Sequence, residues 1–140
     1  MIRKINVIHH KHKENVQGFL DVQVADLNTL VNYSIDIMYC PVLNKIEKNK
    51  TNYYLDLMSE KIRHGGQIVI VITNIKKICV AYIDRTLSDQ SFFEMLRDTS
   101  ESLDHEQIAQ YLTTKHNFDL VNVEHANYTT CITLQRKKHD

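Results

Sequence analysis

Apolar residues along this chain fall into short strand-length runs near both ends and recur at helical spacing in two places between them. Residues 5–8 and 19–24 are β-prone runs. The stretch 9–17 between them is too short and too hydrophilic to form a covering helix, so two strands joined by a loop are expected. Residues 34–40 are rich in strand formers, and Pro41, which cannot donate to a ladder, predicts the end of a third strand. From Thr51 the period changes. Leu55, Met58 and Ile62 recur at helical spacing, with Thr51 or Asn52 placed to cap the start and Gly65 and Gly66 to end the helix. Residues 67–73 then form a near-continuous β-branched run, which predicts a strand covered by helices on both faces of a parallel sheet.

Residues 76–83 suit either a strand or a buried helix and are read as a helix, and residues 91–96 as a short amphipathic turn. Asp104 and Gln107 are spaced as a capping box for a second helix with Ile108, Tyr111 and Leu112 on its apolar stripe. The end reads as strands 118–124 and 130–135 around Ala126, Asn127 and Tyr128, a terminal antiparallel hairpin. No internal repeat or linker interrupts the pattern, so residues 1–140 are expected to form a single α/β domain.

Composition changes this picture little. With 43% hydrophobic residues, three glycines and one proline, the chain is suited to a packed core and not to disorder. Lysine and arginine number 17 against 17 acidic residues, so the sequence carries no clear nucleic-acid signal. The basic runs at 11–13, 45–50 and 136–138 read as solvated faces. Cys40, Cys79 and Cys131 are odd in number and widely spaced, which fits buried thiols in a reducing compartment better than disulfides or zinc ligands. With neither a signal-peptide core nor a membrane-length apolar span, the expected location is the cytoplasm. The abundance of Ile, Lys and Asn hints at an AT-rich genome.

Candidate chemistry is sparse. His9, His10 and His12 could bind a metal, but without Cys or a carboxylate at ligand spacing they are read as an exposed loop. No triad or carboxylate pair can be nominated. Cys40 lies at a strand end where open α/β sheets bind ligands, and its simpler role is packing. Tyr53 and Tyr54 beside Lys48 and Lys50 are read as a rim residue and a core residue on different faces of a helix.

Three segments carry a family resemblance. Ser34 and Asp36, followed by Val42, Leu43, Asn44, Lys45 and Ile46, resemble the Ser-x-Asp strand and Val-Leu-x-His-Ile segment of class I S-adenosylmethionine-dependent methyltransferases, with Lys45 in place of the His. Residues 61–70 resemble that family's Leu-Lys-Pro-Gly-Gly turn into its fifth strand, with Arg63 and His64 where Lys-Pro is usual. Residues 102–108 and 117–121 resemble its late helix and Gly-Phe strand, with Asn117 in place of the glycine. The resemblance implies a Rossmann-like, mostly parallel sheet with helices on its faces and a C-terminal antiparallel hairpin.

It also implies where a cofactor, S-adenosylmethionine, would lie. Ile8, His9 and His10 stand where the family has Gly-Cys-Gly, so side chains would project into the place of the methionine part. Gln23 stands where an acidic residue would hold the ribose. Asp26 resembles the adenine-side acid, with Asp21 nearby, and Cys40 closes the substrate-side strand. The glycine loop is therefore missing and the pocket degenerate. The expectation is a non-catalytic methyltransferase-like domain that binds a protein partner or its own copy through the terminal hairpin or residues 87–96. The alternatives are an active small methyltransferase using Asp21 or Asp26 with Cys40 and Pro41, and a domain that binds another nucleotide or metabolite.

Overall fold

The computed structural model of the protein describes residues 2–9, 15–98 and 104–138. His10, Lys11, His12 and Lys13, expected from the sequence to be part of an exposed loop, lie outside the described residues. Six strands form one sheet in the order β2-β1-β3-β4-β6-β5: β1 Lys4–Ile8, β2 Leu20–Gln23, β3 Ile35–Cys40, β4 Ile62–Thr73, β5 Phe118–Ala126 and β6 Thr129–Arg136. Strands β1 to β4 pair in parallel, and β6 runs antiparallel between β4 and β5. The helices are α1 Thr51–Lys61, α2 Ile75–Ile83, α3 Asp89–Asp98 and α4 His105–Lys115. The mostly parallel α/β sheet with its terminal hairpin is therefore present.

One face of the sheet carries the core. Register aligns Ile5, Met38, Ile68 and Leu134 across four strands, and all are buried with Leu55 and Met58 of α1 and Ile108 and Leu112 of α4. The Tyr111 hydroxyl donates to Asp56 at 2.6 Å, tying α4 to α1 on that face. The opposite face is thinner. Along β4, Ile68, Ile70 and Ile72 are buried whereas Val69 and Val71 are half-buried, so the run expected to be covered on both faces is fully covered on one. A β-branched run reads alike in either case. Helices for the second face would come from the β1–β2 and β2–β3 connections, whose described residues hold only a turn and a 3-10 segment, Val24–Thr29.

Three local expectations are corrected. Gly65 and Gly66 do not end α1, because Ile62 is already extended and pairs with Ile35. The glycines instead bulge β4: Ile35 pairs with Ile62 but Ile37 with Gln67, and Gly65 takes φ +82° to close the excursion. Neither Thr51 nor Asn52 caps α1; the N-cap is Lys50, without a side-chain bond. Residues 91–96 are no isolated turn but part of the ten-residue α3, anchored by Phe92 stacked on Tyr82 of α2 at 4.0 Å. Helix α2 forms where the ambiguous run was read as helical, with Asn74 Oδ1 accepting from Lys77 N. Asp104 Oδ1 caps α4 through Glu106 N.

Two further residues explain the late segment. Asn117 takes φ +63° immediately before β5, the left-handed conformation that glycine or asparagine adopts most readily, so Asn117 can stand where the resembling pattern has glycine. Asn127 at φ +40° makes the two-residue turn between β5 and β6.

Candidate functional site

Open α/β sheets bind ligands outside the carboxyl ends of their strands, where the strand order reverses direction. Here the chain passes from β1 outward to β2 and then back across to β3, so that point lies between β1 and β3. Ile8 ends β1 and pairs with Gln23 at the end of β2, and Cys40 ends β3. The sheet thus brings Ile8, Gln23 and Cys40 to one edge. His9, half-buried, follows Ile8. Asp26 is exposed in the 3-10 segment after β2, its backbone carbonyl accepting from Thr29 Oγ1.

The chemistry of these groups is limited. Cys40 is fully buried, and burial pushes its thiol up to about 11 although the N–H groups of Val42 and Leu43 pull the other way. A thiol so held keeps its proton and is a poor nucleophile at neutral pH. Of the other two cysteines, expected to be buried, Cys79 and Cys131 are only half-buried, and all three are free. Beyond Cys40 the chain turns inward: Val42 and Leu43 are buried, and Asn44 Oδ1 accepts from Thr73 N at 2.8 Å, locking this segment to the end of β4. Asp21 is engaged on the sheet face, where Asn6 Nδ2 donates to its Oδ1 at 3.0 Å.

A second concavity opens on the same edge, over the end of β4. It encloses about 360 Å³ between the first turns of α2 and α4 and the start of β6. Asn74 organises it, donating from Nδ2 to Thr130 Oγ1 at 3.2 Å while His125 Nδ1 lies 3.0 Å from the same oxygen. The His105 ring meets His125 edge-on at 5.4 Å. Sequence reasoning missed this group. The usable signal was Asn74 directly after the β-branched run, a helix-capping residue. Among the described residues no cluster of His, Cys, Asp and Glu is arranged to hold a metal ion. No described helix is long and apolar enough to cross a membrane.

A polar cluster on the helical face is structural. Asp56 accepts from Tyr111 OH and His116 Nε2, each at 2.6 Å, and from Lys115 Nζ at 3.3 Å. Burial raises the Asp56 pKa, but these bonds outweigh it and hold the carboxyl below its ordinary value. A depressed carboxyl contributes stability that is present above its unfolded pKa and lost as pH falls through the folded one. Asp56→Asn is expected to cost about 1–2 kcal/mol at pH 7, held down because a third of the side chain remains in water. Urea titrations should show the gap between parent and variant present above the ordinary aspartate pKa of about 3.9 and shrinking as pH falls below it; a constant gap would contradict this account.

Solved methyltransferases share the architecture. An O-methyltransferase family protein from Burkholderia thailandensis superposes with TM-score 0.60 and 14% identity, covering 87% of this chain and 36% of that one. The 1,6-didemethyltoxoflavin-N1-methyltransferase of the same organism, with 1,6-didemethyltoxoflavin and S-adenosylhomocysteine bound, gives 0.54 and 13%, covering 85% and 50%. A methyltransferase from Thermotoga maritima gives 0.61 and 11%, covering 96% and 82%. The chain therefore spans about a third and a half of the first two proteins' length. No family model matches the sequence. No curated protein matches it either. Identities this low carry the fold and not the activity. On strand order, hairpin and superposition, the chain has the Rossmann-like fold of the class I S-adenosylmethionine-dependent methyltransferases.

Proposed function

We propose that this protein is a non-catalytic methyltransferase-like domain that serves as a binding or structural subunit of a larger assembly. The observation that carries the reading is the corner between β1 and β2. Ile8 sits in the ladder opposite Gln23, where a close approach of cofactor to backbone would call for glycine and a ribose would call for a carboxylate. The nearest carboxylate on β2, Asp21, is bonded to Asn6. Two surfaces support a contact role. Tyr39, Val69 and Val71 lie on the thinner sheet face, half-buried, and Val80, Ile83 and Phe93 are 61%, 78% and 55% exposed on α2 and α3. Such surface is costly to leave in water.

The test is calorimetric titration of metal-free protein with S-adenosylmethionine and S-adenosylhomocysteine. The parent is expected to give no heat of binding at about millimolar ligand, weaker than roughly 4 kcal/mol. Ile8→Gly combined with His10→Gly, which restores glycine at both positions where the resemblance implies it, is expected to create binding. Micromolar binding by the parent would overturn the reading and favour an active enzyme using Asp21 or Asp26.

A further inference from the structure

The chain carries no net charge, yet the topology does not spread its charges evenly. Arg3 and Lys4 lead into β1, Arg63 follows the first residue of β4, and Arg136, Lys137 and Lys138 come at the end of β6. Strands β1, β3 and β4 start at one edge of the sheet, and β6, running the other way, ends there. Three basic runs remote in sequence therefore meet at the amino-terminal edge. Their contacts bear this out: Arg3 N donates to Asp36 Oδ2 at 2.7 Å, Arg63 Nε donates to Asp36 Oδ1, and the Lys138 side chain lies over Gly65. Among the described residues, the carboxylates here are Asp36, Glu60 and Asp119. The first is taken up by Arg3 and Arg63, and the last is paired at 3.8 Å with Lys137.

The same edge carries a flat aromatic layer. Tyr33 takes φ +59° and is 52% exposed. Its ring lies nearly parallel to His64, with centroids 5.4 Å apart and planes 12° from parallel. The Arg136 guanidinium stands 4.8 Å from the Tyr33 ring centre. Cations around exposed π surface are the combination that single-stranded nucleic acids use, phosphates taking the charge and bases taking the plane. An acidic peptide would use the charge but has no need of the plane.

We infer that the amino-terminal edge of the sheet binds single-stranded nucleic acid, with Arg3, Lys137 and Lys138 meeting phosphates and the His64–Tyr33 layer receiving a base. The site lies at the opposite end of the strands from the cofactor corner, so it stands whether or not a cofactor binds.

The experiment is fluorescence anisotropy of the full chain with a labelled single-stranded oligouridylate of about twelve nucleotides, several phosphates longer than the site. Saturable binding is expected at about 50 mM salt, weakening roughly twentyfold at about 200 mM if three phosphates are engaged. Lys137→Glu with Lys138→Glu should reduce affinity at least tenfold, and because both side chains are exposed the fold should be unchanged by circular dichroism. His64→Ala should weaken binding about fivefold or more without altering the salt slope. Lys50→Glu with Lys77→Glu, an equal charge change at the other edge, should leave affinity as it was. The inference is overturned by no saturable binding at low salt, by equal losses in the two double variants, or by a glutamate polymer displacing the probe as well as unlabelled oligouridylate does.

Discussion

Replacing Phe118 by alanine is expected to destabilise the protein by about 3–5 kcal/mol, the usual range for emptying a buried phenylalanine site. Phe118 is 1% exposed and is among the largest fully buried side chains. It opens β5 immediately after the left-handed Asn117, and belongs to the same core as Ile108, Ala109 and Leu112 of α4 and Leu134 of β6. The surrounding strands are hydrogen-bonded on both sides of β6 and cannot collapse into the space, so the lost contacts are not recovered. Since domains of this size hold about 5–15 kcal/mol in total, the variant should be marginal at 37 °C. Leu120→Ala, two residues along the same strand at 47% exposure, should change stability by no more than about 0.5 kcal/mol. Chemical denaturation of both variants checks the contrast, and similar losses would mean that Phe118 is not the anchor of α4.

The second large effect is at Gly66. A Cβ there would lie 2.8 Å from Ile62 Cγ2 and 3.0 Å from the carbonyl oxygens of both Arg63 and Asp36. Two of those three atoms are backbone and belong to the paired strands β3 and β4, so relief requires the bulge itself to open. Gly66→Ala is expected to cost about 2–3 kcal/mol, the upper part of the range for overpacking. Gly18→Ala is the comparison. It has φ +84° and nothing within 4 Å of the added carbon, so only the left-handed backbone cost applies, about 1–2 kcal/mol. Thermal melts of the pair separate crowding from conformation. Gly18→Ala falling further than Gly66→Ala would refute the close approach.

Glycine 66 also shows what pattern reading can and cannot do. A glycine pair after a helical run signals a break in regular structure, and a break is present. Whether it stops the helix or bulges the next strand depends on which strand lies alongside, here β3 with its shifted register between Ile35 and Ile37. The same holds for residues 91–96. Their apolar spacing was visible, but the length of α3 is set by Phe92 finding Tyr82 on a neighbouring helix. Helix α2 reads from the sequence as a helix with a strand left open, because so few residues of mixed apolar character suit either.

At the candidate site the division is sharper. That Ile8 and Cys40 end strands could be read from the strand runs, whereas the second run, 19–24, reaches one residue past Gln23, where β2 ends; the sheet aligns all three ends. That Asp21 is engaged by Asn6, and that Cys40 has its thiol pushed up by burial, could not be read, since neither bonding partner nor burial is a local property. The concavity around Asn74, Thr130, His105 and His125 joins residues from four segments, and no window of sequence contains them.

The sequence by itself determined the strands, most of the helices and the terminal hairpin, because period, β-branching and turn residues act over a few positions through the local backbone. That no glycine precedes Gly18 is likewise a property of the sequence alone. Only the tertiary structure decided which sheet face is covered, what the glycine pair does, and that basic runs some sixty residues apart and more converge with Tyr33 and His64 on one edge. Strand order places those residues together, and strand order is set by long-range packing, which no local pattern encodes.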